Sequence, residues 1–309
     1  MRFGENVRLM SIKVTPLEEA SPRARDVAIG TFDGVHLGHR AVIEGADTVL
    51  TFEPHPLEVL RPEAAPKLIN SLSVKRDVIE GLGVEELVVI HFDEEFSHRT
   101  AEDFIDYALV EKLGARRVAV GENFHFGAKA KGNPAMLEAH PEFETRVQRM
   151  VEVDGETVSS SRIRRQIAAG DIEGARRCLG VPYMLEGEVV EGDKRGRDLG
   201  FPTANIVPDE RLVTPGFGVY AAFANGHPAA VSVGVRPTFD SDLGVLIETY
   251  LIDFEGDLYG RDLRVAFVER LRPELAFDDV DALVGQMHRD VEDARRICAD
   301  FTEAAARGG

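Results

Sequence analysis

The first 180 residues alternate between short apolar runs and longer stretches in which apolar positions recur at helical spacing. The runs DVAIG, TVLTF, ELVVIHF and RRVAVG are typical of buried strands, and SVKRDVIEGLG and AEDFIDYALVEKLG are typical of helices that end on glycine. Strands that alternate with helices usually pair in parallel, so this pattern predicts an α/β domain with a parallel sheet. DVAIG is predicted as its first strand.

The pattern changes beyond residue 182. From residue 184 to about residue 267, closely spaced strand-like runs are separated by Gly, Pro and Asp, which favours an antiparallel barrel or sandwich. An acidic helix is predicted from about residue 280 to residue 300. We therefore predict two domains, residues 1–182 and residues 183–309.

Composition limits the binding partners and the cellular compartment that we expect for the protein. The 309 residues are 44% hydrophobic, enough for two cores. Acidic residues outnumber basic ones 54 to 36, and the formal charge of −18 would repel nucleic acid and anionic membranes. Cys178 and Cys298 lack a neighbouring metal ligand, and no signal peptide or membrane-spanning run is visible, so we expect a cytoplasmic protein. The sequence leaves the oligomeric state open.

Two histidines three residues apart follow the first predicted strand, in GTFDGVHLGH at residues 30–39. Doubly wound sheets bind ligands at the carboxyl ends of their strands. His36 and His39 would share one face of the first helical turn, where free backbone N–H groups and imidazoles can bind a phosphate. The alternative is a solvated pair of histidines beside a turn.

Three further segments follow predicted strands or start a helix at the same edge. VSSSRIR at residues 158–164 offers three hydroxyls and two arginines; serines there are often simple helix caps, whereas arginines suit a polyphosphate. TFEPHP follows the second predicted strand and GENFHFG the fourth. Their convergence on one edge predicts a phosphate-binding site.

These motifs together resemble a known enzyme family. G-x-F-D-G-V-H-x-G-H, T-F-E-P-H-P, G-x-N-F-x-F-G and SSSRIR are similar to the adenylyltransferase module of the bacterial bifunctional riboflavin kinase/FAD synthetase. GEVVEGDKRGRDLGFPTANI, VGVRPTF and IETYLIDFEGDLYGRDLRV are similar to its riboflavin kinase module. The resemblance implies a Rossmann-like nucleotidyltransferase domain followed by an antiparallel β-barrel kinase domain with a C-terminal helix.

For the first module, the resemblance implies that the FMN phosphate attacks the α-phosphorus of ATP and expels pyrophosphate. The implied catalytic residues are His36, His39, Asn123 and Arg162. ATP and phosphate binding is implied for Gly30, Phe32, Asp33, Gly34, Ser160, Ser161 and Arg164. Flavin binding is implied for His55, Phe124 and Phe126, with a place in the core as the alternative for the two phenylalanines.

For the second module, the resemblance implies that the ribityl hydroxyl of riboflavin attacks the γ-phosphorus of ATP. Glu248 would be the base, and Thr203 and Asn205 would be ligands of Mg²⁺. The alternative for Glu248 is an outward-pointing strand residue without a role. Gly192, Lys194 and Arg197 lie in a basic, glycine-rich segment. The resemblance implies that this segment is a flap over the phosphates, and the alternative is a solvated turn.

We therefore predict an enzyme that makes FMN and then FAD from riboflavin and two ATP, with Mg²⁺ as cofactor. The alternatives are a riboflavin kinase with an inactive adenylyltransferase domain, and a flavin-binding protein without turnover. Only nine residues separate His39 from Val49, which predicts a helix of two turns ended by Gly45. Because the predicted chemistry lies in its first turn, we expect FAD synthesis to survive this shortening.

Overall fold

A computed structural model of the chain describes residues 11–190, 200–235 and 244–307. Contacts divide them into two compact units. The sheet unit contains residues 11–66 and 72–160, and the barrel unit contains residues 67–71 and the described residues from 161 onward. The chain passes into the barrel unit after residue 160, earlier than the predicted boundary between residues 182 and 183. The reason is that the helices after residue 160 pack with the barrel. As a boundary between functional modules, the predicted one stays a prediction.

Six parallel strands form the centre of the sheet unit. Their bounds are β1 (Lys13–Pro16), β2 (Arg25–Ile29), β3 (Thr48–Glu53), β4 (Glu86–His91), β5 (Ala115–Gly121) and β6 (Glu144–Gln148). They pair in the order β1-β4-β3-β2-β5-β6. β2 and β3 are buried along almost their whole length, as strands of a parallel sheet are when both faces are covered.

Helices and a hairpin occupy the connections of this sheet. The helices are α1 (Leu37–Ile43), α2 (Pro56–Leu60), α3 (Leu72–Glu80), α4 (Glu94–Ser97), α5 (Ala101–Phe104) and α6 (Pro134–Glu138), the hairpin is β7 (Glu152–Val153) with β8 (Glu156–Thr157), and 3₁₀ turns lie at Leu17–Glu19, Pro62–Ala64 and Ala128–Ala130. α5 continues as a π-helix over Ile105–Lys112. Phe104, Ala108 and Leu109 pack on the sheet core.

The prediction that DVAIG forms the first strand is wrong. β1 precedes it and pairs with β4 at the edge of the sheet. β1 has the sequence KVTP, in which only Thr15 is buried, so it lacks the apolar run by which the inner strands are recognised. The two-turn helix after His36 is confirmed: α1 has seven residues, and Gly45 behind it has a φ of +77°.

The strand order places a topological switch point beside β2. The chain leaves β2 for β3 on one side and later returns to β5 on the other side. Doubly wound sheets bind ligands at such a point, outside the carboxyl ends of the two central strands. The loops that leave these ends are residues 30–36 and residues 122–127. The predicted motifs GTFDGVH and GENFHFG therefore lie at the switch point.

The barrel unit contains a closed antiparallel barrel, as predicted. Its elements are α7 (Ser160–Ala169), which begins in the sheet unit, α8 (Ile172–Leu179), β9 (Tyr183–Val190), β10 (Ala204–Ile206), β11 (Gly218–Ala224), β12 (His227–Val235), β13 (Val245–Leu251), β14 (Asp262–Arg272) and α9 (Val280–Arg307). The barrel order is β10-β13-β12-β11-β14-β9. Ala294, Ile297 and Cys298 of α9 pack on β11 and β14. No helix of the described residues is both long and apolar enough to cross a membrane.

A buried carboxylate ties together the amino ends of the parallel strands. Glu86 begins β4, and its carboxylate accepts hydrogen bonds from Thr15 at 2.7 Å, from Arg25 at 3.0 and 3.1 Å, from Arg23 at 3.2 Å and from Lys13 at 3.3 Å. Burial alone would raise the pKa of Glu86, but the hydrogen bonds from Thr15 and Arg25 outweigh it and lower this pKa from 4.5 to about 2.

Glu86→Gln is expected to destabilise the sheet unit by about 3 kcal/mol, because it leaves the buried Arg25 without its counter-ion. The native pKa lies below the unfolded one, so the ionised carboxylate stabilises the fold fully above pH 4.5 and this contribution is lost as the pH falls towards about 2. Urea unfolding at several pH values measures both effects. Glu85→Gln, the same change at the exposed neighbour, is the control; equal stability of the two variants would contradict the prediction.

Candidate functional site

A cavity of about 930 Å³ opens at the carboxyl edge of the parallel sheet, within the sheet unit. The lining residues predicted from the sequence are Gly30, Phe32, His36, His39, His55, Asn123, Phe124, Phe126 and Ser160. Arg61, Arg99, Lys129 and Arg149 also line it, and the described lining contains no Asp or Glu. In a chain with a formal charge of −18, a cavity whose charged lining residues are all cations favours an anionic ligand.

The loop after β2 has an unusual backbone. Phe32 and Val35 have φ values of +47° and +42°, and Gly34 has +91°. Residues other than glycine rarely adopt a positive φ, and such backbone strain is typical of ligand sites. Asp33 is buried, and its carbonyl oxygen accepts a hydrogen bond of 2.9 Å from the Ser160 hydroxyl. At Gly30 a Cβ would lie 3.1 Å from the Phe32 ring, so glycine leaves room for that ring.

His36 and His39 lie stacked on each other. Their ring centroids are 3.6 Å apart with planes inclined by 18°, and Phe32 meets His39 edge-on at 5.4 Å. Burial lowers the pKa of His39 well below its usual value, and the charges of His36 and Lys75 lower it further. Neutral imidazole keeps one N–H donor, so the pair can donate hydrogen bonds without carrying two positive charges.

The structure corrects one detail of the predicted phosphate site. His36 is the N-cap residue of α1, and its Nδ1 accepts a hydrogen bond of 3.3 Å from the backbone N–H of His39. One of the N–H groups expected to be free for phosphate is therefore already satisfied. Because Nδ1 accepts, a neutral His36 carries its proton on Nε2, and Nε2 is the atom that can donate to a ligand.

Lys75 lies close to His39 but outside the lining of the cavity, and the sequence analysis missed it. It lies on α3 with its side chain buried. Burial lowers the pKa of Lys75, and the carboxylates of Glu53, Asp33 and Glu58 act in the opposite direction. Lys75 thus places one cation close to these three acids and to His39. A lysine within the pattern SVKRD looks like an ordinary exposed helix residue, so the sequence holds no signal for this position.

The other predicted residues of this cavity have structural contacts as well. His55 is the N-cap of α2: its Nδ1 accepts a hydrogen bond from Leu57 N–H at 3.2 Å. Phe126 is buried and Phe124 half-buried, with their rings stacked at 5.5 Å and packed on the sheet core. Asn123 is exposed at the loop tip. The core alternative therefore holds for both phenylalanines; both rings also line the cavity, and their flavin contact stays a prediction.

The serine-arginine segment begins at the cavity. Ser160 lines it, whereas Ser161, Arg162 and Arg164 follow on α7 in the part of the chain that packs with the barrel unit. Their role at the phosphate site stays a prediction.

Gly38→Ala is expected to lower the rate of the reaction at this cavity about tenfold by displacing the His36 ring. A Cβ at position 38 would lie 3.1 Å from His36 Cε1 and 3.2 Å from Nδ1, and the ring cannot retreat because it is stacked on His39. The measurement is kcat for the product of this site. In Gly45→Ala the new Cβ meets no atom within 4 Å but is strained by the positive φ, so this control should lower the melting temperature and leave kcat intact. An unchanged kcat in Gly38→Ala would contradict the prediction.

The barrel unit brings a second predicted set together. Asn205 on β10 lies directly opposite Glu248 on β13 in the antiparallel pair, and Ser232 on β12 lies on the other side of Glu248. Residues paired in this way share a face of the sheet. Glu248 is exposed, whereas its neighbours Ile247 and Thr249 are fully buried. The strand alternation therefore points Glu248 outward, to the same face as Asn205.

Asn205 itself is almost fully buried, and its Oδ1 has no hydrogen-bond partner among the described residues. A buried amide oxygen without a partner is costly, and a cation or a ligand donor would satisfy it. Thr203 is half-buried and lies two residues earlier, just before β10. The flap residues Gly192, Lys194 and Arg197 lie outside the described residues.

Comparison with known proteins decides the family. A family model described as FAD synthetase matches residues 18–162, and one described as riboflavin kinase matches residues 179–298. The "Bifunctional riboflavin kinase/FMN adenylyltransferase" of Listeria monocytogenes is 37% identical over 90% of this chain and 93% of its own length. The protein of the same name from Escherichia coli K12 is 36% identical over 91% and 95%. The chain belongs to the bifunctional riboflavin kinase/FMN adenylyltransferase family.

Membership of the riboflavin kinase/FMN adenylyltransferase family confirms the predicted resemblance, the two-part fold and the presence of both enzyme modules. A solved structure from Streptococcus pneumoniae, titled as a macrolide-efflux protein, is 30% identical to this bifunctional enzyme. The superposition covers 92% of this chain and 99% of the Streptococcus pneumoniae chain, with a TM-score of 0.82. The arrangement described here is therefore shared along almost the entire length of a second protein.

Proposed function

We propose that the barrel unit phosphorylates riboflavin to FMN and that the sheet unit adenylylates FMN to FAD, each reaction consuming one ATP. The observation that carries this proposal is the convergence of residues distant in sequence. His36, Asn123 and Ser160 line one cavity at the switch point of the parallel sheet. Asn205 and Glu248 face each other across two barrel strands. Each set suits one of the two phosphorus chemistries.

In the sheet unit, a phosphate oxygen of FMN attacks the α-phosphorus of ATP while the bond to the pyrophosphate oxygen breaks. Negative charge grows on the leaving and non-bridging oxygens, so the site needs fixed hydrogen-bond donors and no protein nucleophile. His36 Nε2 and the neighbouring imidazole of His39 are the proposed donors, held in place by their stacking and by Phe32. Arg162 and Arg164 are proposed to bind the pyrophosphate, and Asn123 to position the reactants.

In the barrel unit, the ribityl hydroxyl of riboflavin attacks the γ-phosphorus of ATP. Glu248 is proposed to accept the hydroxyl proton, since it is a carboxylate on the face that carries Asn205. The unpartnered Oδ1 of Asn205 fits a hard cation, and Thr203 can supply a second neutral oxygen. These two residues are the proposed protein ligands of Mg²⁺, which when bound with ATP offsets phosphate charge.

We also propose that the enzyme works in the cytoplasm. Both cysteines, Cys178 and Cys298, are buried and neither is in a disulfide. Burial raises the pKa of the Cys298 thiol to about 11, so it stays protonated and inert at neutral pH. Two thiols kept apart in this way suit a reducing compartment.

One incubation tests the proposed function. The purified protein is mixed with riboflavin, ATP and Mg²⁺, and riboflavin, FMN and FAD are separated by chromatography over time. FMN should form first and FAD second. FMN alone, even when excess FMN and ATP are supplied, would instead identify a riboflavin kinase with an inactive first site. Flavin that binds without conversion would identify a flavin-binding protein and refute the proposal.

A further inference from the structure

Arg99 lies on the wall of the cavity in the sheet unit, between α4 and α5. Its backbone is fixed: its N–H donates to Phe96 at 3.1 Å and its carbonyl accepts from Ala128 N–H at 2.7 Å. Its guanidinium lies 4.3 Å from the ring centroid of Tyr107 and 5.6 Å from that of Phe96. Two aromatic rings therefore hold this cation in one place before any ligand arrives.

The guanidinium of Arg99 donates no hydrogen bond and forms no ion pair within the described part of the chain, and its Nε is shielded from water. Guanidinium has five N–H donors, and a shielded donor without an acceptor is costly. A preorganised cation that lines a cavity without acidic side chains is suited to an acceptor supplied by a ligand.

A row of aromatic rings leads away from Arg99 along the cavity. Phe96 contacts Phe104 at 6.4 Å, Phe104 contacts Phe126 at 5.3 Å, and Phe126 stacks on Phe124 at 5.5 Å. Phe96, Phe104, Phe124 and Phe126 all line the cavity. Such a wall accommodates a flat aromatic ring system, and Arg99 stands at its end.

The strand order separates Arg99 from the two histidines. Arg99 follows β4 and His36 follows β2, with β3 between them. Neighbouring strands lie about 4.8 Å apart, so the ends of β4 and β2 are about 10 Å apart. A ribityl chain joins the ring and the phosphate of FMN over a similar length. Arg99 and both histidines also line the same cavity, so a ligand whose phosphate is at the histidines can extend its ring towards Arg99.

We propose that Arg99 binds the carbonyl edge of the flavin ring and determines the specificity of the adenylyltransferase site for FMN. The donors of the guanidinium fork meet the oxygen-bearing pyrimidine edge of the isoalloxazine, while Phe96 and Tyr107 hold the fork in plane. This inference rests on the proposed function of the sheet unit, because it assumes that FMN is adenylylated there. It assigns Arg99 to the ring of FMN and leaves the phosphates to His36 and His39.

Steady-state kinetics of FAD synthesis test the assignment. Arg99→Met keeps the unbranched stem over the rings and removes the fork; it should raise KM for FMN about 10- to 100-fold and leave KM for ATP unchanged. Arg99→Lys keeps the charge without the planar fork and should recover only part of the loss. Lys112→Met is the matched control: Lys112 stacks on the same Tyr107 ring at 5.7 Å but does not line the cavity, so both KM values should stay as in the wild type.

A chemical substitution in the ligand makes the test independent of protein folding. In FMN analogues the C2 or C4 oxygen is replaced by sulfur, a weaker acceptor. Wild-type enzyme should show a KM about tenfold higher for at least one analogue than for FMN, and Arg99→Met should discriminate much less.

Three results would overturn the assignment: an unchanged KM for FMN in Arg99→Met, a rise confined to KM for ATP, or equal use of FMN and both analogues by the wild type. The rate of FMN formation from riboflavin in each preparation reports whether the chain is folded. If wild-type enzyme makes no FAD at all, the proposed function of the sheet unit fails before Arg99 is tested, so the two failures are distinguishable.

Discussion

Glu248→Gln is expected to lower the rate of FMN formation by about 10²- to 10⁴-fold, because it removes the base that takes the proton of the ribityl hydroxyl. Glutamine has the same shape and keeps an acceptor oxygen, so riboflavin should still bind. The exposed position of Glu248 on β13 makes a folding defect small. The measurement is single-turnover conversion of riboflavin to FMN at saturating ATP and Mg²⁺, with riboflavin binding followed by its fluorescence.

Glu269→Gln is the matched control for this experiment. Glu269 lies on β14, three strands away from β13 in either direction around the barrel, so the same change of charge should leave FMN formation unaffected. Near-normal FMN formation by Glu248→Gln would rule out the glutamate as base. A large loss in both variants would indicate an effect of net charge on the unit and would equally contradict the assignment.

Removal of both imidazoles, in His36→Ala combined with His39→Ala, is expected to lower FAD formation from FMN and ATP by at least about 10²-fold. The pair supplies the proposed donors to the phosphate oxygens, and His36 also caps α1 through its Nδ1. FMN formation from riboflavin should continue at the wild-type rate, because Glu248 and Asn205 lie in the barrel unit.

The histidine experiment needs a control for loss of a histidine at the same sheet edge. His91 ends β4, is exposed and does not line the cavity, so His91→Ala should make FAD normally. Supply of both FMN and ATP from the start removes any dependence on the kinase. Undiminished FAD synthesis in the double variant would show that GTFDGVHLGH does not bind the reacting phosphates.

The parts of the fold that were predictable from the sequence are those whose burial leaves a local pattern. β2 and β3 are covered on both faces and therefore stand out as the apolar runs DVAIG and TVLTF. Some barrel strands alternate buried and less buried residues, as β12 does along HPAAVSVGV, whereas β11 is buried along its whole length. Gly45 marked the end of the short helix α1 because a positive φ there suits glycine. The phosphate site was predictable because each of its motifs is contiguous, whereas the roles of single residues at both candidate sites were implied by the family resemblance and stay predictions.

Residues that join a site only through tertiary contacts left no such pattern. Lys75 lies on an amphipathic helix where a lysine is ordinarily solvated, yet it is buried, and the acids that raise its pKa lie on earlier elements of the chain. Arg99 lies three residues after Phe96, but its place on the cavity wall and its contact with the Tyr107 ring were not visible in the sequence pattern. β1 was missed because an edge strand with one buried residue has no apolar run.

The parallel sheet keeps its stabilising charges and its reactive groups at opposite ends. Glu86, Arg25 and the paired Asp26 and Arg116 lie where the strands begin, whereas the cavity opens where they end. Loops at the reactive end can therefore change without loss of the ion pairs that hold the strands together. A laboratory evolution library confined to the exposed loop positions 122, 123 and 125 would leave both these ion pairs and the buried Phe126 in place. The sheet unit is thus a scaffold in which the ligand end can be redesigned separately from the end that carries the stabilising charges.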